Sequence, residues 1–425
     1  MAGGVSALSI AGQLVLLASL PLLTRLYTPA EFGLFTIYLA AVNILGAAAA
    51  LRFETSLYVV ENRAQARVGL KLILFSLLAT GSLVLAAGLV TVDRLPAETH
   101  NLVFLVPLGL ATAGLVEAIN CWALRFGRLR DFALGRLMLP SFMAALQVAF
   151  GLAQLGGDTM VVAHILSQIL FAGVLGFRVF SRADFRGVAE ASWRDAARAA
   201  RREYKFPLYD LPATVAGYAI INLPAVLIGS LFGTTLAGHF GVAARLVTGP
   251  TTLMATPLSN VFVAEAGKSA DGAHLRRSGH GLLLVAAGAI AVPVLGLGLV
   301  APYLVVPVLG EPWREAGHIV TALAVMAAFQ VLSTPLQDVP TLMRRQEVRL
   351  GVDAVRALLV FGPLLLGFHA GWNALSVIDL MAAGGAAGFA LRAGASLLLL
   401  NAMSSAEPLP NEMRPSPPDA ARCHG

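Results

Sequence analysis

The sequence predicts an all-α polytopic membrane protein. About twelve transmembrane helices form two six-helix bundles, related by pseudo-two-fold symmetry around a central cavity. Three observations lead there. Hydrophobic residues make up 57% of the 425-residue chain and charged residues only 13%, and mean hydropathy is +0.76. That is far too little polar surface for a soluble protein of this length. Apolar runs of bilayer length recur along nearly the whole chain, separated by short polar breaks. Basic residues collect in every second break.

A bilayer core takes about 20 apolar residues per helix. By that ruler the spans fall near 3–24, 34–53, 68–91, 101–123, 133–156, 159–179, 208–231, 236–263, 279–301, 315–337, 350–370 and 374–400. The runs are continuous rather than alternating, which predicts helices and not a barrel. The 42 glycines and the many alanines suit close helix packing in lipid. The first run has no basic leader and no small-residue cleavage site, so it reads as a retained helix rather than a signal peptide. Pro107, Pro140, Pro224, Pro250, Pro257, Pro293, Pro335 and Pro363 lie in the runs. Such prolines suit a protein that bends between states, and equally a set of static kinks.

With the N-terminus cytoplasmic, the inner loops hold Arg63, Arg67 and Lys71; Arg125, Arg128, Arg130 and Arg136; the stretch from Arg182 to Lys205; Lys268, Arg276 and Arg277; and Arg344, Arg345 and Arg349. The outer loops hold little beyond Arg94 and Arg314, with Arg25 at a span end. The positive-inside rule therefore places both termini in the cytoplasm, with an even number of spans. The net charge of +6 marks these loops and predicts no nucleic-acid partner. Cys121 falls in a span and Cys423 in the tail, which predicts neither a disulfide framework nor a metal cluster.

The chain divides into an N-terminal six-helix bundle at 1–180, a basic cytoplasmic linker at 181–206, a C-terminal six-helix bundle at 207–402 and a proline-rich disordered tail at 403–425. In the linker, Trp193, Ala197, Ala200 and Tyr204 share one helical face among Arg194, Arg198, Arg201, Arg202 and Lys205. That pattern suits an amphipathic helix on an anionic leaflet, or a solvated basic linker. The halves echo each other. Leu26-Tyr27 and Phe32-Gly33-Leu34-Phe35 match Leu231-Phe232 and Ala237-Gly238-His239-Phe240 at equal spacing, in the turns after spans one and seven.

Ionisable groups inside a bilayer cost several kcal/mol, so each asks for a reason. Arg245 lies well inside span eight, where a cation suits a hydrated cavity and an anionic ligand, or a carboxylate partner on another helix. Arg25 ends span one and can line a cavity or snorkel to headgroups. Arg52 and Glu54 near the end of span two are cavity residues or an interfacial pair. Asp210 opens span seven, ready to pair with a basic residue or to serve as helix-start chemistry. Glu117 and Asn120 sit one turn apart in span four, where a buried carboxylate would take up a cation or hold a neighbouring helix. Asp353 and Arg356 are spaced to pair along span eleven. His164, Asp379 and Arg392 are weaker candidates. Arg25, Arg52 and Arg245 are the candidates for substrate binding; Glu54, Glu117, Asp210, Asp353 and Arg356 are those for coupling or gating.

No enzyme is predicted. Gly267-Lys268-Ser269 resembles the end of a phosphate-binding loop, but Phe262 stands where its first glycine belongs. Neither a nucleophile elbow nor a paired-histidine zinc motif occurs.

The segment Pro21-Leu22-Leu23-Thr24-Arg25-Leu26-Tyr27-Thr28-Pro29-Ala30-Glu31-Phe32-Gly33-Leu34-Phe35 resembles the N-terminal signature of bacterial oligosaccharide flippases of the Wzx type. These belong to the multidrug/oligosaccharidyl-lipid/polysaccharide exporter superfamily. Leu51-Arg52-Phe53-Glu54, Tyr204-Lys205-Phe206-Pro207-Leu208-Tyr209, and Gly238 to Arg245 followed by Pro250 are similar to further landmarks of that family. The span count suits it better than the lipid II flippases. The resemblance implies transfer of an undecaprenyl-diphosphate-linked oligosaccharide across the bacterial inner membrane, by alternating access, for surface polysaccharide synthesis. It implies that spans one, two, seven and eight line the cavity, which assigns Arg25, Arg52 and Arg245 to the substrate. Its partners would be the lipid-linked oligosaccharide and membrane lipids, with a glycan polymerase and chain-length machinery as further candidates. It requires no cofactor and leaves coupling to a proton or sodium gradient open. A cation-coupled multidrug exporter of the same superfamily, a membrane-embedded glycan polymerase or ligase, and a non-transporting scaffold are the competing readings.

Overall fold

The computed structural model describes residues 2–58, 60–268, 272–343 and 345–402. The proline-rich tail at 403–425 with Cys423, and Ser269 and Arg344, lie outside the described residues. Among the described residues there is no strand. All twelve expected spans are helices: Ala2–Leu26, Pro29–Ala49, Arg63–Thr91, Leu102–Arg125, Leu129–Leu152, Thr159–Val179, Leu211–Phe232, Thr234–Lys268, Ala273–Leu309, Arg314–Ser333, Gln346–His369 and Ala374–Ala402. Eleven are long and apolar enough to cross a membrane. The exception is span eight, a 35-residue helix interrupted by His239, Arg245 and a run of threonines.

The chain forms two compact units. Unit one comprises Met1–Val242 with the segment Val308–Trp313; unit two comprises Ala243–Pro307 and Arg314–Gly425.

In unit one, span one packs on span five, span two on span seven, and spans three and six on span four. Its core is built from Leu57, Ile73, Leu110, Cys121, Trp122, Phe171 and Leu175, all nearly or fully buried. The turn between spans one and two follows directly from its sequence. Thr28 caps span two: its hydroxyl accepts from the Glu31 N–H, and the Glu31 carboxylate accepts from the Thr28 N–H at 2.8 Å. Pro29 occupies the first helical turn, where its missing N–H costs nothing. Tyr27 closes the turn by donating its hydroxyl to the Gln147 carbonyl at 2.7 Å.

The echoed motifs meet each other. A Cβ on Gly33 would overlap the Thr234 carbonyl, and a Cβ on Gly238 would overlap the Pro29 carbonyl. Pro29 stands to Gly33 as Thr234 stands to Gly238, so the crossing is reciprocal, as a local two-fold requires. Thr36 and Gly241, again matching positions, face each other one turn on. Trp313 is fully buried at the same end. Its indole N–H donates to the Thr24 carbonyl at 2.8 Å, and its ring meets Phe32 edge-on at 5.3 Å.

Two helices of the linker, Arg182–Glu190 and Trp193–Arg202, dock on the start of span three. Their anchor is Asp184, whose side chain has no solvent exposure. It caps its own helix through Ser181 and accepts from Arg67 at 3.0 Å and Arg63 at 3.4 Å. Burial alone would raise its pKa, but the Ser181 hydrogen bonds and the two arginines outweigh that and hold it below the ordinary aspartate value. Lys71 donates to the Ala189 and Ala191 carbonyls and stands 4.6 Å over the Trp193 ring. Of the expected apolar face, Trp193 meets Phe75 of span three edge-on at 5.5 Å and Ala200 packs against the core, while Ala197 and Tyr204 are exposed; Ala196 beside them is buried.

In unit two, span twelve packs on spans ten and eleven. Phe262, Ala266, Leu275, Leu336, Val339 and Leu400 form an apolar cluster. Among the described residues two π-helical turns occur, Phe206–Asp210 and Ala286–Ala291, and each precedes a proline, Pro212 or Pro293. Proline cannot donate to the carbonyl one turn back, and the ladder there widens. Pro335, expected inside span ten, lies instead in the short turn Thr334–Leu336 that ends it.

Gly33→Ala forces a backbone contact apart and should cost about 1–3 kcal/mol, against the smaller helix gain of alanine over glycine. Its thermal midpoint in detergent should fall. Gly173→Ala, with nothing within 4 Å, should hold or rise slightly. Equal shifts in both would show that the crossing is not tight. Asp184→Ala should undock the linker at a cost of about 2 kcal/mol, speeding tryptic cleavage there roughly thirtyfold. In the wild type that docking should be complete at neutral pH and weaken only as pH falls through the lowered Asp184 pKa. Unchanged cleavage in the variant would remove Asp184 as the anchor.

Candidate functional site

The candidate residues fall into separate groups. Arg25 ends span one, beside the glycine crossing. It is exposed and has no hydrogen-bond or ion-pair partner among the described residues.

At the opposite end of unit one, the chain leaves span two through two residues in the left-handed region, Leu51 at φ 50° and Arg52 at φ 63°. Each such non-glycine residue costs about 1–2 kcal/mol. Local bonds hold them: Phe53 donates to the Ala50 carbonyl at 3.0 Å, and Thr55 Oγ1 donates to the Arg52 carbonyl at 2.6 Å. The turn aims the Arg52 guanidinium between two carboxylates. Nε donates to Asp210 Oδ2 at 2.6 Å, and Nη1 donates to Glu54 Oε1 at 3.2 Å. Asp210 is presented by the π turn that opens span seven. Two carboxylates thus face one guanidinium, and both hold its positive charge in place.

Glu54 is only 6% exposed, and its Oε2 is buried without a partner. Burial pushes its pKa above the ordinary glutamate value. Its backbone hydrogen bond and Arg52 pull the other way, while Glu117 and Asp210 add to the rise.

Glu117 is not the buried carboxylate expected. It is exposed on span four, and its contact is with Cys121 of the same helix at 3.6 Å. Cys121 also donates to the Tyr58 hydroxyl at 3.2 Å. His164 sits in the core, bonded to Tyr38 at 3.1 Å and to Gln168 at 3.3 Å, a structural role. Asn43 of span two donates to Asn222 of span seven at 3.0 Å. Sequence reasoning missed that pair, although two asparagines in apolar runs were its signal.

In unit two, Arg245 is half-buried in span eight. Asp353 does not pair with Arg356 along the helix. It pairs with Arg392 of span twelve, while Arg356 lies 4.8 Å over the Phe389 ring. The reason is reach: antiparallel packing of spans eleven and twelve sets Asp353 opposite Arg392. Asp379 pairs with His318 at 3.1 Å.

A family model described as polysaccharide biosynthesis protein matches residues 22–318, more than two thirds of the chain. The chain belongs to that family. The match contains the capped turn, the glycine crossing and the Arg52 cluster. Among solved structures, this family member resembles "Lipid II flippase MurJ, inward closed conformation" at TM-score 0.66 and 11% identity, covering 92% of this chain and 87% of that one. It resembles an inward-facing multidrug resistance MATE family transporter of the MOP superfamily at TM-score 0.61 and 16% identity, with 94% of each chain covered. A second MATE structure, in complex with MaD3S, gives TM-score 0.55 at 14% identity over 94% and 95%. No curated protein matches the sequence. The polysaccharide-biosynthesis family member thus has the fold of MOP-superfamily membrane transporters.

The Glu54 carboxyl should titrate above the ordinary glutamate range, visible as a protonated-carboxyl infrared band of the purified protein. Glu54→Gln should remove the band, and Arg52→Ala should move its titration further up. A band unchanged in Glu54→Gln would assign the proton elsewhere.

Proposed function

We propose that this protein is a flippase that moves an undecaprenyl-diphosphate-linked oligosaccharide across the bacterial inner membrane by alternating access, for surface polysaccharide synthesis. The observation that carries the reading is the family match over 22–318 on a transporter fold. The charge inventory supports it. A diphosphate is an anion that must cross hydrocarbon, and Arg25 offers an unpaired cation for it. Arg245 offers a second cation within the membrane. Arg52, held by Asp210 and Glu54, would release to the substrate when Glu54 is protonated, which links transport to protons. No catalytic residue is assigned. The basic loops support cytoplasmic termini, and the two six-span halves would be the moving bodies.

The likeness to MATE transporters favours one second reading, a cation-coupled drug exporter. Arg25, Arg52 and Arg245 count against a cavity built for cationic drugs.

The test is deletion of the gene followed by leaflet-selective labelling of lipid-diphosphate-linked oligosaccharide. The carrier should accumulate on the cytoplasmic leaflet. Wild type should restore it, whereas Arg25→Ala and Arg245→Ala should each lose at least tenfold in rate. Accumulation on the outer leaflet would replace the flippase with a polymerase or ligase.

A further inference from the structure

Spans eleven and twelve of unit two hold two arginines and one aspartate inside the membrane-length part of the fold. Arg356 lies ten residues from the start of Gln346–His369, and Arg392 lies ten residues from the end of Ala374–Ala402. The helices run antiparallel, so both arginines stand about ten residues, roughly 15 Å, from the same end of the helix pair, inside the expected spans 350–370 and 374–400. All three residues lie beyond the stretch that the family model matches.

The charges do not balance. Arg392 is bonded to Asp353, and their side chains are 18% and 24% exposed. Among the described residues Arg356 has no hydrogen bond, and its Nε is buried without a partner. Its place is nonetheless built. Gly388 leaves room for its stem, because a Cβ there would overlap Arg356 Cγ. The guanidinium stacks 4.8 Å over Phe389, whose ring also faces Arg392 at 6.0 Å. A planar cation is thus oriented on an aromatic plate with its donors unused, beside a second arginine whose one carboxylate is already taken. A guanidinium at this depth is costly unless an anion completes it. The missing group is a compact anion with several acceptor oxygens, the chemistry that arginine pairs bind best.

We propose that Arg356 and Arg392, in the seam between spans eleven and twelve, form an intramembrane anion site that takes a phosphate or diphosphate group. It rests on the residues of unit two and stands apart from the flippase reading. Asp353 is the site's competitor: it holds Arg392 when the anion is absent and is displaced when the anion binds.

The test uses the full-length protein in detergent, carrying Arg25→Ala and Arg245→Ala so that the proposed carrier site is disabled. Ligand-dependent thermal shift is titrated with geranyl diphosphate, inorganic diphosphate and phosphatidylglycerol. At least one probe should stabilise the protein. Arg356→Gln should weaken its apparent affinity by about tenfold to a hundredfold, and Asp353→Asn should tighten it. Binding of both diphosphates means that the group itself is recognised, and the site stands. Binding of geranyl diphosphate alone points to a prenyl carrier, and of phosphatidylglycerol alone to a bulk lipid; in either case it stands. It falls if no probe binds, or if affinity is the same in wild type, Arg356→Gln and Asp353→Asn. A shift in thermal midpoint without a change in affinity would make the trio a structural brace. Should Arg356→Gln fail to fold, the tightening in Asp353→Asn decides alone.

Discussion

The backbone-to-backbone crossing at Gly33 and Gly238 is the constraint on which the other features of unit one rest. In lipid no hydrophobic force draws one apolar helix to another, so association depends on packing at short range. Gly33 and Gly238 remove the side chains that would keep spans two and eight apart. Backbone can then meet backbone, and the surrounding residues are placed by that contact. Thr28 and Glu31 cap span two so that Gly33 falls at the crossing. Gly233, at φ 96°, turns the chain from span seven into span eight so that Gly238 falls opposite. Trp313 fills the space beside them. The N-terminal sequence signature is therefore mostly the recipe for a turn and a crossing, and Arg25 is its one exposed charge.

Eleven of the twelve spans were legible because hydropathy reports directly on the bilayer and each such run carries that signal within itself; span eight, with His239, Arg245 and its threonines, carries it more weakly. The partners of the charges were not legible, because a partner is chosen by tertiary packing. Arg52 and Asp210 are 158 residues apart, and Arg67 and Asp184 are 117 apart. Asp353 shows the failure most plainly. Helical spacing offered Arg356 three residues away, but the seam between two helices offered Arg392 in better geometry. Glu117 failed for the complementary reason. Sequence says that a carboxylate lies in a span, not toward which side of the helix it points. The echo of Gly33 in Gly238 marked equivalent turns without saying that they meet, and the basic partner that the sequence offered Asp210 is supplied by Arg52.

Charge allocation sorts the membrane arginines by what they can still do. Arg52 is shared by two carboxylates, so an anionic ligand reaches it only by competing with them. One competitor, Glu54, is nearly buried and keeps an oxygen unsatisfied. Protonating it removes a negative charge from beside the guanidinium and costs little, because burial already favours the neutral form. On the proposed flippase reading, proton uptake at Glu54 and anion binding at Arg52 would favour each other, each by the same factor. Arg392 is likewise held by a carboxylate: Asp353 is bonded to it across the seam, and the Phe389 ring lies beside both Arg356 and Arg392. The two units thus hold arginines of one chemistry against different partners, Arg52 between Asp210 and Glu54, and Arg392 against Asp353.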